Sequence, residues 1–172
     1  PSTACYVQRN LGAKNSVAFD ISAACSGFLY AMQISRHFIN TGNRKTALII
    51  GAEKLSSIVN WTDRNTCVLF GDGAGAAILR RRSTDEAVHE PQVLGSALPI
   101  TAENAHLRLN TIHMQGKETF KAAVTNVTTA CARAIELAGL KPGDIDVIVP
   151  HQANVRIIDA AAILIAERGF KR

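Results

Sequence analysis

The chain has 172 residues, enough for one sizeable domain, and a hydrophobic share of 47% with few aromatics fits a packed α/β protein of the cytosol. No apolar run reaches the ~18 residues that span a bilayer, the protein is expected to be unexported, and nothing in the composition suggests disorder. The four cysteines (Cys5, Cys25, Cys67, Cys131) form no C-x-x-C pair, which argues against a zinc site or a disulfide framework; a net charge of +5 without a basic, aromatic-interleaved run fits an acidic protein or a phosphorylated substrate better than nucleic acid.

In chain order, residues 1–8 read as helix without a polar lead-in, so the chain is expected to start inside a domain. Residues 16–30 read as a buried strand running into a helix whose apolar face carries Phe28, Leu29, Met32, Ile34, Phe38 and Ile39. Cys25 stands at the junction. Unpaired backbone N–H groups and the helix dipole favour a thiolate there, and Ala23, Ala24, Ser26 and Gly27 leave room for a substrate, which makes Cys25 a candidate nucleophile. A buried structural thiol fits the same pattern.

Gly42 caps a turn before a buried strand over 46–52, and strand, helix, strand predicts a parallel crossover. Phe70-Gly-Asp-Gly-Ala-Gly-Ala-Ala is not a dinucleotide loop, because Ala76-Ala-Ile-Leu79 reads as strand rather than helix; its glycines are expected to allow a tight turn with close backbone packing. Residues 80–90 read as a solvated hairpin or loop, and 91–110 as short strands with an excursion that carries His106 and His113. From Lys117, the positions Phe120, Val124, Val127, Cys131, Ile135 and Ala138 have helical spacing, closed by Gly139, Pro142 and Gly143. A strand over 144–150 then leads to His151, and Val155, Ile158, Ala161, Ala162 and Ile165 predict a last helix up to Gly169.

Cys25 and His151 thus each end a predicted strand just before a helix, where sites in open α/β sheets lie, and a Cys with a His makes a nucleophile and its proton partner. Asn154 suits either an amide contact to substrate or the N-cap of the last helix. No metal-binding spacing is present, and His37, His89, His106 and His113 carry no partner pattern.

Asp20-Ile-Ser-Ala-Ala-Cys25-Ser-Gly-Phe, Phe70-Gly-Asp-Gly-Ala-Gly-Ala-Ala and Val149-Pro-His151-Gln-Ala-Asn154-Val-Arg156, in that order, closely resemble the motifs of β-ketoacyl-acyl-carrier-protein synthase III. The resemblance implies the thiolase fold, two similar α/β halves packed as five αβαβα layers, here covering the central portion of the family's sequence and incomplete at both ends. Residues 1–90 would be the C-terminal part of the first half and 91–172 most of the second. It also implies a cytoplasmic homodimer that starts fatty-acid synthesis: an acyl group, commonly acetyl from acyl-CoA as substrate with no further cofactor, moves onto Cys25 and then condenses decarboxylatively with malonyl-acyl-carrier protein. Membrane and nucleic acid are not expected partners.

The resemblance assigns Cys25 as the acylated nucleophile and a donor of the oxyanion hole, and His151 as the donor to the malonyl thioester oxygen. Asn154 and Gly116 would line the pantetheine channel and Arg64 pack on the CoA adenine. Leu55, Phe70 and Phe120 would shape the acyl pocket, and Lys121 and Arg156 dock the acidic carrier protein, or be plain solvated charges. The family's third catalytic residue, an Asn, lies beyond the matched part, so weak self-acylation and almost no condensation are expected of these 172 residues. Two alternatives share the motifs: a non-catalytic form that only dimerises or binds carrier protein, and a polyketide starter synthase of the same fold.

Overall fold

The computed structural model describes residues 1–81, 93 and 116–169. They divide into two compact units, residues 1–51 with 76–81 and residues 52–75 with 93 and 116–169. The half boundary expected between 90 and 91, the short strands expected over 91–110, and His89, His106 and His113 lie outside the described residues.

The first unit begins with α1 (Thr3–Asn10), whose Ser2 N-cap makes no side-chain cap bond. Its orphan amides are satisfied from elsewhere in the chain: Thr3 and Ala4 N–H donate to the two carboxylate oxygens of Asp20 at 2.7 and 2.8 Å. The expected buried strand leading to Cys25 is therefore corrected. Residues 17–23 pair with no strand among the described residues, and Val17 and Phe19 are exposed. An apolar run marks residues that a sheet could bury, but the ladder needs a neighbour, and here Asp20 supplies the anchor instead.

The Ala4 and then the Thr3 N–H bonds hold the Asp20 carboxyl below the ordinary aspartate range. Because the folded-state value is depressed, Asp20 adds stability above its unfolded value, and that contribution disappears as pH falls through the folded one. Urea midpoints measured from neutral pH down through the carboxylate range should therefore fall less steeply in Asp20→Asn than in the parent chain. Identical slopes would mean that the carboxylate does not hold α1.

β1 (Thr46–Lys54) and β2 (Asp72–Arg80) form a two-stranded sheet. Arg81 N–H donates to Lys45 C=O at 3.0 Å beyond one end, and Ser56 bonds Asp72 beyond the other, so the pair is antiparallel. The parallel crossover drawn from the strand, helix, strand order would join the segment before Cys25 to β1, and with no strand over 17–23 it is not formed among the described residues. β1 is also covered less fully than its sequence suggests: Ile49 is buried while its neighbours Leu48 and Ile50 are exposed. α2 (Gly27–Asn40) is held at both ends. A Cβ at Gly51 would meet Phe28 Cδ2 at 3.5 Å, so its first turn lies against β1, and the Arg81 guanidinium donates to the carbonyls of Ile39 and Asn40 at its last.

In the second unit α3 (Gly116–Leu137) packs on α4 (Val155–Glu167). The core is Ala161 and Ile165 of α4, against Val127, Cys131 and Ile135 of α3 and Ile145 of the connection. These α3 positions are the ones picked out by helical spacing. α3 closes where Gly139 enters the left-handed region (φ 70°) and Leu140 N–H returns to Ile135 C=O. A short 3₁₀ turn, Pro142–Asp144, follows, bonded from Lys141 N–H to Asp144 Oδ2 at 2.8 Å. The strand expected over 144–150 is not formed among the described residues, and Val147 and Val149 are 74% and 84% exposed. No helix among the described residues is long and apolar enough to cross a membrane.

Candidate active site

Cys25 lies in a 3₁₀ turn, Ala24–Ser26, that leads directly into α2. Ala23 (φ −146°, ψ 29°) is neither extended nor helical, Ala24 turns to φ +45°, and Ser26 and Gly27 are right-handed. The left-handed region costs an L-residue about 1–2 kcal/mol, and Ala24 is the only described non-glycine residue with positive φ. Two bonds close the turn: Ser26 N–H to Ala23 C=O at 3.1 Å, and Gly27 N–H to Ala24 C=O. Cys25 is therefore delivered on a sharp corner rather than on a buried strand end.

All four thiols are free, and Cys25 alone is exposed. Cys131 is packed against the core of α3 and α4, where burial pushes its thiol above the ordinary range. Cys5 accepts from Ser2 Oγ at 3.3 Å and its own Sγ points to Ala18 C=O. Accessibility thus separates Cys25 from its three counterparts, and the buried structural thiol that the sequence left open is not what forms.

His151 is exposed, directly after Pro150 and four residues before α4. Asn154 is the N-cap of α4, its Oδ1 accepting from Arg156 N–H at 2.9 Å. This engages one side-chain atom and leaves the amide NH₂ to donate elsewhere. Both roles weighed for Asn154 are thus open to it at once. Arg156 carries the capped amide and an exposed side chain.

Arg64 is exposed in a turn stiffened by its neighbours: Asn60 Oδ1 accepts from Thr62, Asp63 Oδ1 from Asn65 N–H, and the fully buried Thr66 donates to Asp63. Leu55 and Phe70 are half-buried and flank a clasp the sequence did not reveal. Asp72 accepts from Ser56 Oγ at 2.6 Å and Ser56 N–H at 2.8 Å, and these bonds, the hydroxyl first, lower its carboxyl below the ordinary range. The clasp ties the turn after β1 to the start of β2. Gly73 and Gly75 accordingly lie inside β2 with open space where a Cβ would stand, so the tight turn expected of this motif is replaced by strand. Gly116 opens α3, and Phe120 and Lys121 follow on its exposed surface. Cys25 belongs to the first unit and the other nine candidates to the second.

Residues 19–98 match the family model of 3-oxoacyl-[acyl-carrier-protein] synthase III. A curated β-ketoacyl-[acyl-carrier-protein] synthase III from Caldanaerobacter subterraneus subsp. tengcongensis is 48% identical over 176 residues, covering 94% of this chain and 53% of that protein. The crystal structure of the synthase III from Aquifex aeolicus superposes with a TM-score of 0.87 at 46% identity, over 98% of this chain and 55% of that one. A priming β-ketosynthase from the R1128 polyketide pathway matches at 31% identity and TM-score 0.79, over 100% of this chain and 54% of that one. The chain spans about half the length of the relatives it matches, and over that half it has their thiolase fold. In sequence and in fold, the chain belongs to the 3-oxoacyl-[acyl-carrier-protein] synthase III family.

Proposed function

We propose that the protein transfers an acyl group from acyl-CoA to Cys25 and condenses it with malonyl-acyl-carrier protein. The observation that carries this reading is Cys25 itself, the one exposed thiol of four, set on a strained corner at the start of α2 inside a family motif. The Cys25 thiolate attacks the acyl-CoA carbonyl, the oxyanion collapses, and CoA leaves as its thiolate with an S-acyl cysteine behind it. Loss of CO₂ from the malonyl thioester then leaves its electron pair as an enolate. An imidazole N–H of His151 donates to the enolate oxygen, and the enolate carbon displaces Cys25 sulfur to give a 3-oxoacyl-carrier protein. The thioesters and the departing carboxylate supply the driving force, so this sequence calls on no resident cofactor.

In the same reading Asn154 and Gly116 contact pantetheine, Arg64 stacks its planar guanidinium on the CoA adenine, and Leu55, Phe70 and Phe120 bound the acyl chain. Exposed Lys121 and Arg156 meet the acidic carrier protein, consistent with the chain's net charge of +5. The protein would work in the cytoplasm as a homodimer.

The test is product analysis, with these residues set in a synthase of the relatives' full length, using acetyl-CoA in competition with longer and branched acyl-CoAs and either malonyl-acyl-carrier protein or malonyl-CoA as extender. Selective formation of 3-oxobutanoyl-carrier protein supports the fatty-acid reading. Preference for a longer or branched primer would move the function toward the polyketide-priming relative, and no product with either extender would contradict condensation.

A further inference from the structure

We propose that Ala24 is a positioning residue for Cys25: its left-handed backbone aims the thiol, and its side chain is small so that this conformation can be held. The inference deepens the reading of Cys25 as the acylated residue and rests on it. Three observations converge on the position. Ala24 is the only non-glycine residue at positive φ among the described residues, while the four glycines at positive φ all lie in turns or at helix ends. Ala23, at φ −146° and ψ 29°, is neither extended nor helical, and the chain leaves the corner helical at Ser26, so Ala24 is the one residue of the corner whose φ changes sign. Both hydrogen bonds that close the corner use the carbonyls of Ala23 and Ala24, and they bracket Cys25.

If Ala24 moved to negative φ, the peptide joining it to Cys25 would rotate, carrying the Cys25 N–H and the Cα–Cβ bond with it. The exposed thiol would then leave its place at the start of α2. Held strain of this kind persists only where surrounding structure fixes it, and the Asp20 anchor to α1 on one side and Phe28 against Gly51 on the other do so here. A β-branched residue at position 24 resists the left-handed region most, whereas Asn is bulkier than Ala yet adopts it readily.

Ala24→Val, Ala24→Asn and Ala24→Gly test this by following iodoacetamide labelling of Cys25 across pH, with Cys5, Cys67 and Cys131 as references in the same molecule, and S-acetylation by acetyl-CoA. The expected order is Gly and Asn within about threefold of the parent chain and Val at least tenfold slower at Cys25 only, with its pH profile displaced. Equal loss in Asn and Val would make bulk the cause, and an unchanged rate and profile in Val would remove Ala24 from the site; either overturns the proposal. Should Ala24→Val not fold, Asn decides alone: retention supports the proposal and a tenfold loss overturns it. Variants that label in this order while the parent chain is never acetylated would instead contradict the proposed function.

Discussion

With these residues set in a synthase of the relatives' full length, His151→Ala is expected to lower condensation of acetyl-Cys25 with malonyl-acyl-carrier protein by about 10²–10³, the usual loss when one donor to a developing oxyanion is removed. Acetylation of Cys25 by acetyl-CoA should continue, because the proposed role of His151 begins only when the malonyl carboxylate leaves. His151 is exposed and sits ahead of α4, so its truncation should leave stability within about 0.5 kcal/mol. His151→Gln, which keeps an N–H donor, should recover part of the loss. Burst acetylation and steady-state condensation measured side by side separate the two half-reactions. Equal loss in both would assign His151 to the acylation step or to the fold, against the role proposed for it.

The second large effect is on stability. Ile165, 5% exposed, lies at the centre of the contact between α3 and α4, among Val127, Cys131, Ile135 and Ile145. Ile165→Ala removes three buried carbons and leaves a cavity that a helix pair closes only in part, so a loss of about 2–5 kcal/mol is expected in denaturant unfolding. Ile163, two residues earlier on the same helix, is 57% exposed, and Ile163→Ala should cost no more than about 0.5 kcal/mol. Because α4 carries the Asn154 cap, Ile165→Ala should also slow condensation by more than Ile163→Ala does. Similar losses of stability in the two variants would contradict the packing described for this unit.

The helices were legible because their signals are local. Phe120 to Ala138 and Val155 to Ile165 repeat at the period of a helix face, and Gly139 and Asn154 punctuate them by known capping chemistry. The extended segments were legible only as apolar runs. Residues 17–23 and 144–150 have strand composition, but a ladder depends on a neighbour that the run itself does not encode, and among the described residues neither has one. Cys25 and His151 stood out because few residue types do nucleophilic and proton chemistry. The supports of the site did not. Asp20 bonds backbone amides of α1, which look the same whatever residues carry them, and Ser56 gives no sign of its partner sixteen residues on. Ala24 is hidden more deeply, since the usual marker of positive φ is glycine and an alanine among alanines carries none.

The most direct measurement is intact mass of the purified chain after incubation with acetyl-CoA, followed by peptide mapping, beside Cys25→Ser. The expected result is one acetyl group on Cys25, none on Cys5, Cys67 or Cys131, and no adduct in Cys25→Ser. Acetyl groups spread over several cysteines, or an adduct that survives Cys25→Ser, would contradict Cys25 as the nucleophile on which the proposed function is built.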